Sequence, residues 1–241
     1  LIALQYHEVK INLDLRAIDE CLFAVSSLVA QDDVDVRVSG AYAQSLVSAS
    51  LYVDYIYLDT DERRRFAQMS HEYLIDQLQF TGKESLAGTG NPQKIRLNFN
   101  HPVKELVWVV RKSTEDAPLD NNAGVTDGSE PCKTARLLLN GHERFSERDG
   151  SYFRTVQPYY HHTRIPDGYY SSLPARKYVY VYSFALRPEE HQPSGTCNFS
   201  RIDNATLNVT TPANMTSLTV LAHGYNVLRV QSGMGGLAYS N

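Results

Sequence analysis

The stretch KYVYVYSFAL, residues 177–186, alternates strictly between two kinds of side chain. Three tyrosines and a phenylalanine share one parity, while Val179, Val181 and Ala185 share the other. Successive side chains of a β-strand point to opposite faces, so both faces of this strand are apolar and both need cover. The stretch therefore predicts a strand that lies between two layers.

Other segments of five to ten residues, bounded by Gly, Pro, Asn or Asp, also indicate strands. They are HEYLIDQLQFTG (71–82), QKIRLNFN (93–100), KELVWVVRK (104–112), TARLLLNG (134–141), NATLNVTT (204–211), YNVLRVQSG (225–233) and the terminal GLAYSN (236–241). Helical periodicity is almost missing from this half of the chain. The pattern predicts an all-β fold, an antiparallel sandwich of the jelly-roll kind.

The N-terminal part of the sequence also predicts strands. Residues 1–15 alternate with period two, and LVSASLYVDYIYLD (46–59) is rich in β-branched and aromatic residues. Between 46–59 and the first strand of the sandwich lies TDERRRFAQMS (60–70), which is dense in charge and predicts an exposed linker or short helix. We place a domain boundary there, and we expect the chain to begin within a longer protein, because LIALQYHEVKINLDL reads as a strand already under way.

Composition excludes several classes of protein. The net charge is -4 and no block of Lys or Arg occurs, so the chain lacks the electrostatic signature of direct nucleic-acid binding. No apolar run is long enough to span a membrane. Cys21, Cys132 and Cys197 are widely spaced and odd in number, which indicates buried free thiols rather than a disulfide framework or zinc site.

Catalytic and metal-binding patterns are weak. A cupin-like metalloenzyme is one alternative, with His161, His162, Glu189, Glu190 and His191 as candidate ligands. Adjacent residues on an extended chain point to opposite faces, however, and the HxH pair of cupins does not occur. The sequence also lacks a GxSxG nucleophile elbow. It therefore predicts no cofactor and no enzyme activity.

Two features indicate contact with other molecules. Long irregular stretches at 113–131 and 158–175 predict functional loops, and tyrosines and arginines of the kind found at interfaces collect around the second, with core packing as an equal alternative. Candidate interface residues are Tyr152, Arg154, Tyr159, Tyr160, Arg164 and Tyr169. Asn-x-Ser/Thr triplets make Asn198, Asn204, Asn208 and Asn214 candidate glycosylation sites, although the polar parity of one strand explains Asn204 and Asn208 without sugar.

Several strings occur together in a familiar order. They are LIALQYHEVK (1–10), VDYIYLDTDERRRFAQMSHEYLIDQLQFTG (53–82), IRLNFNHPVKELVW (95–108), LNGHERF (139–145), GSYFRTVQPY (150–159), YVYSFALRP (180–188), QPSGTCNFSRIDNATL (192–207) and YNVLRVQSGMGGLAYSN (225–241). Together they resemble the double-jelly-roll major capsid protein of nucleocytoplasmic large DNA viruses, especially the phycodnaviruses that infect algae. The resemblance covers well over half of the chain.

The resemblance implies two consecutive jelly rolls. It assigns residues 1–60 to the terminal strands of an incomplete N-terminal roll, 61–70 to a linker and 71–241 to a complete C-terminal roll. It also implies a structural function, in which three copies form a pseudo-hexagonal capsomer and capsomers tile an icosahedral shell.

The implied partners are the chain itself, neighbouring capsomers, minor capsid proteins and host surface glycans. The implied location is the virion capsid, assembled in the host cytoplasm, and the Tyr/Arg residues named above become candidates for trimer contacts. The alternative is a stand-alone carbohydrate-binding jelly-roll module. Such a module would need a pocket of exposed aromatic rings with convergent carboxylates and amides.

Overall fold

The computed structural model describes residues 1–15, 18, 43–111, 130–165, 178–213 and 215–239. They belong to two compact units. One unit holds the described residues up to Ser70 together with Val230–Gly235, and the other holds the remaining described residues.

The second unit is built almost entirely of strands. The described strands are β1 (His71–Ser85), β2 (Gln93–Leu97), β3 (Pro102–Arg111), β4 (Thr134–Leu139), β5 (His142–Glu143), β6 (Arg148–Asp149), β7 (Tyr180–Ser183), β8 (Cys197–Asn198), β9 (Ala205–Thr210), β10 (Ser217–Gln231) and β11 (Met234–Leu237). The end of β10 and the start of β11 fall within the part assigned to the first unit. The helices of the described chain are α1 (Thr60–Gln68), a π-helix (Tyr152–Val156), α2 (Gln157–His161) and a 3₁₀-helix (Phe199–Arg201).

The strands form two sheets. One has the order β1-β10-β3-β7, with β11 on β10 and β8 on β3, and the other has the order β2-β9-β4-β5, with β6 on β4. The registered pairs are antiparallel. The first four strands alternate between the sheets, as the connections of a jelly roll require, so the predicted all-β antiparallel jelly-roll sandwich is confirmed.

The core lies between the sheets and is supplied by alternating positions of the central strands. Val103, Leu106 and Val110 of β3 are fully buried, as is Leu218 of β10, and Leu207 of β9 is nearly so. The stretch 178–185 behaves as its pattern predicts, because Tyr178, Tyr180, Val181 and Ala185 are all buried. Both faces of that strand are therefore covered.

The first unit contains α1, whose start is fixed by a capping box. The Asp59 side chain accepts a hydrogen bond from Glu62 N at 2.8 Å, and the Glu62 side chain accepts one from Asp59 N at 3.3 Å. These bonds satisfy backbone donors that a helix start leaves free. The charged segment between the predicted domains is therefore a short helix, one of the two predicted forms. It is exposed as predicted, because α1 has no buried residue.

Residues 1–15 and 43–59 differ from the prediction, since the structure assigns no strand to either. A strand is defined by ladder hydrogen bonds to a partner, and an extended segment without a partner has none. Tyr52, Tyr55 and Ile56 point into solvent accordingly. Tyr6 N donates to Gly233 O at 2.9 Å within this unit.

Two of the three cysteines lie within the described residues, and both are free thiols. Cys132 is a buried free thiol and Cys197 a half-buried one, while Cys21 lies outside the described residues. No described helix is both long and apolar enough to cross a membrane.

Candidate functional site

A helical segment, residues 151–163, connects β6 to β7 and holds most of the candidate interface residues. It begins with the π-helix and continues into α2, where Pro158 occupies the first turn. Proline is suited to that position because the first turn of a helix leaves its N–H groups unbonded. The sequence pattern had indicated an irregular loop from residue 158, so this short helix was missed.

Aromatic packing fixes the start of the helical segment on the core. Phe153 is fully buried, and its ring centroid lies 5.1 Å from that of Trp108 and 5.3 Å from that of Phe145. Tyr152 is half-buried, meets Phe153 edge to face at 5.1 Å and accepts a hydrogen bond from Gln157 Nε2 at 2.9 Å. Aromatic pairs at such distances add to the apolar burial.

A buried charged network holds Arg154 inside the chain. Its guanidinium Nη2 lies 2.7 Å from Glu130 Oε1, and Nε donates to the same oxygen at 2.8 Å. Tyr180 donates to Glu130 Oε2 at 2.9 Å and accepts from Cys132 N at 3.1 Å. Burial raises the pKa of the Cys132 thiol to about 12 and also raises the pKa of Tyr180, so neither group ionises under ordinary conditions.

Exposed apolar side chains collect at the end of the helical segment, and we call Tyr159, Tyr160 and Leu186 the aromatic ridge. Their exposed fractions are 71%, 72% and 72%. The tyrosine rings meet edge to face at 5.4 Å, and His161 Nδ1 lies 3.0 Å from Leu186 O, which joins the helix to the loop after β7. Large exposed rings on a braced helix are typical of interface positions.

The remaining candidate interface residues are distributed differently. Arg164 is exposed beyond the end of α2, Tyr152 and Arg154 face the interior, and Tyr169 lies outside the described residues. The structure thus brings Tyr159, Tyr160 and Arg164 to one exposed end of the segment. The internal partner of Arg154, Glu130, is 24 residues away, and no local pattern identifies it.

The histidines considered as metal ligands have other partners. His162 Nε2 lies 2.8 Å from Glu105 Oε2, and His162 Nδ1 lies 3.0 Å from Glu189 Oε1. The first contact is an ion pair outside good hydrogen-bond geometry, whereas the second is a hydrogen bond. Within the described residues, no group of three or more His, Cys, Asp or Glu side chains is arranged to hold a metal ion.

The asparagines of the triplets have structural roles. Asn198 caps the 3₁₀-helix by accepting from Ser200 N at 3.1 Å, and Asn204 accepts from Thr206 Oγ1 at 3.2 Å. Asn208 is half-buried on the polar face of β9, as the parity of that strand predicts, and Asn214 is outside the described residues. Asn198 and Asn204 are exposed.

An open cleft of about 480 Å³ lies beside the helical segment. Its lining includes Glu147, Arg148, Asp149 and Tyr152, and Arg148 lies 4.7 Å from the centre of the Tyr152 ring. The Arg148 side chain therefore covers one face of the Tyr152 ring. A carbohydrate site would instead offer a free aromatic face to the sugar.

Comparison with known proteins agrees with this architecture. The family model described as "Large eukaryotic DNA virus major capsid protein" matches residues 62–236, and the model described as "Major capsid protein N-terminus" matches residues 1–59. The PBCV-1 virus capsid structure is 41% identical, with a TM-score of 0.61 over 78% of this chain and 56% of that chain.

Curated relatives carry the same name. The major capsid protein of Pyramimonas orientalis virus is 53% identical over all of this chain and 57% of its own length, and that of Phaeocystis pouchetii virus is 44% identical over all of this chain and 62% of its own. The chain thus spans about three fifths of the length of these relatives. With a jelly-roll sandwich and a family match across most of its residues, the chain belongs to the major capsid proteins of large eukaryotic DNA viruses, a family of structural proteins and not of enzymes.

Proposed function

We propose that this chain is a shell-forming segment of a viral capsid building block in which three copies associate into a pseudo-hexagonal capsomer. The observation that carries the proposal is the family match over residues 62–236, which coincides with the jelly-roll sandwich. A sandwich with buried sheets and exposed connections is suited to a structural shell, because its loops can form contacts while the core keeps its shape.

The domain assignment is part of the proposal. Residues 1–60 contribute the terminal strands of an N-terminal jelly roll, and 71–241 form the C-terminal roll. The separate family matches to residues 1–59 and 62–236 support this division, as does α1, which begins at Thr60 where the first match ends. Segments 4–15 and 46–59 become strands when ladder partners are supplied by the rest of an N-terminal roll.

The aromatic ridge supplies a contact between copies. Tyr159 and Tyr160 are exposed on a segment whose start is buried in the core, so the two rings are presented without a large entropic cost for ordering the helix. Leu186, the third member, lies on the loop that His161 contacts. Arg164 extends the same surface with a positive charge. Neighbouring capsomers, minor capsid proteins and host surface glycans are further proposed partners, and assembly in the host cytoplasm is the proposed setting.

The test uses a chimera in which this chain replaces the matching 57% of the Pyramimonas orientalis virus relative. Sedimentation equilibrium gives the mass of the chimera, with the unmodified relative measured in parallel. A mass of three chains for both supports the proposal. A single-chain mass for the chimera, beside a three-chain mass for the relative, would show that this chain does not form the contact.

Glycosylation of the four triplets stays a prediction, and the alternative is that these asparagines are polar surface residues without sugar. Asn198 and Asn204 have exposed side chains, whereas Asn208 belongs to the polar face of β9. Intact-mass spectrometry of the protein taken from virions distinguishes the two. A mass equal to that of the polypeptide means bare asparagines, and added mass that disappears in Asn→Gln variants locates the sugar.

A further inference from the structure

A row of charged groups crosses the sheet on the face away from the core, and we call it the histidine–carboxylate cluster. The register of β3 and β10 places Glu105 directly opposite His223, and Glu105 Oε1 lies 3.0 Å from His223 Nδ1. Leu106, the next residue on β3, is fully buried in the core. Because side chains alternate along a strand, Glu105 points away from the core and towards the helical segment.

The second oxygen of Glu105 contacts the helical segment. His162, the C-cap residue of α2, bridges Glu105 on one side and Glu189 on the other at 2.8 and 3.0 Å. Glu189 also accepts a hydrogen bond from Thr163 N at 3.1 Å. The end of the helical segment is thus attached to the sheet and to the loop after β7 through one imidazole and two carboxylates.

Further acidic and basic side chains surround His162 and Glu105, and the two kinds of charge do not cancel. Asp76 lies 4.0 Å from His223 Nε2 and 2.9 Å from Lys104 Nζ, and the Lys104 ammonium lies 4.6 Å from the centre of the Tyr225 ring. Arg187 and Glu190, on the loop of Glu189, pair with each other at 3.1 Å. The carboxylates Glu105, Glu189 and Asp76 therefore face Lys104, His162 and His223, and the net charge of the group changes when His162 loses its proton.

We propose that this cluster is a pH-dependent latch, in which protonated His162 holds the end of the helical segment on the sheet and loss of its proton releases that end. Glu105 remains charged and only 8% exposed after the proton leaves, with His223 as its one close partner among the described residues. A buried carboxylate that loses an ionic partner is strongly destabilised, so the favourable response is for the segment to move and admit water.

The direction of the pH response follows from the pKa of each group. Contact with Glu105 raises the pKa of His162 above its ordinary value of 6.5, against the opposing effect of burial. A raised pKa means that the stabilising contribution is complete below 6.5 and is lost as the pH rises through the raised value.

Glu105 responds in the opposite direction. Burial alone would raise its pKa, but the contacts with His162 and His223 outweigh burial and lower the pKa from 4.5 to about 2. Its contribution is complete above 4.5 and is lost as the pH falls towards about 2. Both contributions are complete between 4.5 and 6.5, and the contribution of His162 is lost as the pH rises above this range through its raised pKa.

The experiment measures hydrogen exchange of residues 151–163 in the 241-residue chain at pH 6 and pH 9, corrected for intrinsic exchange. We expect protection in this segment to fall by about tenfold for each unit by which the His162 pKa is raised, since one unit corresponds to a tenfold equilibrium change. His162→Gln should show low protection at both pH values. His191→Gln, at an exposed histidine of the neighbouring loop, should behave like the unmodified chain.

A second measurement does not depend on any variant. The His162 ring is titrated by NMR, and a pKa at or below 6.5 overturns the latch, as does equal protection of the segment at both pH values. An effect of the latch on assembly rests on the proposed function, because the same segment carries the aromatic ridge. The mass of the chimera is therefore also measured at pH 9. If hydrogen exchange shows opening at pH 9 while the chimera keeps its three-chain mass at that pH, the contact assigned to the ridge is wrong and the latch stands.

Discussion

At the scale of single residues, Glu130 and Arg154 form a largely buried ion pair. Their side chains are 21% and 8% exposed, and the guanidinium, a tyrosine hydroxyl and the carboxylate form one connected network. Removing one partner leaves the other charge buried without compensation. The stability of the sandwich should therefore depend strongly on this pair.

Arg154→Met should lower the free energy of unfolding by about 3 kcal/mol, the usual loss when one partner of a buried ion pair is removed. The fluorescence of Trp108, the single tryptophan, reports unfolding of the sandwich core in a denaturant titration. Adding Glu130→Gln to this variant should recover part of the loss, because the uncompensated charge is then gone.

Arg136→Met is the matched control, since Arg136 pairs with Glu143 at 2.7 Å but these side chains are 34% and 47% exposed, well above those of Arg154 and Glu130. Exposed pairs contribute about 1 kcal/mol or less. Equal losses for Arg154→Met and Arg136→Met would contradict the role given to the buried pair.

At the scale of residues, the sequence predicted what alternation determines. The burial of Tyr180 and Val181 and the polar face of β9 follow from parity alone. The pairings of Arg154 with Glu130 and of Glu105 with His162 could not be predicted from the sequence pattern. Each pairing joins residues that the fold brings together from different elements. Local spacing carries no information on such contacts.

At the scale of elements, the bulge between β3 and β10 sets the position of the charged row. The register shifts between His223 and Gly224, and a Cβ atom placed on Gly224 would lie 2.3 Å from Pro102 O. Only glycine permits that approach of the two backbones, and bulges commonly serve to redirect side chains. The pairing of Glu105 with His223 depends on this approach.

Gly224→Ala should destabilise the sandwich by about 2 kcal/mol, because the added methyl group forces the two strands apart. Trp108 fluorescence in denaturant again provides the measurement. Gly236→Ala is the control, since a Cβ at Gly236 meets nothing within 4 Å, and it should change stability by less than about 0.5 kcal/mol. A neutral Gly224→Ala would mean that the bulge is not constrained as described.

Element boundaries were predicted unevenly, for physical reasons. The longer strands of the sandwich were found, but the two-residue strands β6 and β8 and the first half of β10 were missed, as was the hairpin from β4 to β5. That hairpin turns through Asn140 and Gly141, both with positive φ, and an Asn-Gly pair is the strongest local signal for such a turn. Segments 4–15 and 46–59 have strand patterns, but pattern alone does not supply a ladder partner.

At the scale of the whole molecule, the helical segment joins the exposed ridge to the sandwich. Core packing fixes the helical segment at Phe153, and the latch fixes its end at His162. Tyr159 and Tyr160 of the ridge lie between these anchors, so changing these two residues should alter assembly without altering the fold. Substitutions there separate association from stability.

Tyr159→Ser combined with Tyr160→Ser in the chimera should shift sedimentation from three chains towards one, because both rings are exposed and available for contact. Denaturation of the sandwich should be unchanged. Tyr73→Ser is the control, as Tyr73 is a half-exposed tyrosine on β1 at 49%. Sedimentation unaffected by the double substitution would remove the ridge from the interface.

The most direct test of the central claim is negative-stain electron microscopy of the same chimera beside the unmodified relative. The account predicts particles with a pseudo-hexagonal outline and the mass of three chains for both proteins. Isolated single-chain particles from the chimera, next to pseudo-hexagonal ones from the relative, would contradict the claim that this chain builds a capsomer.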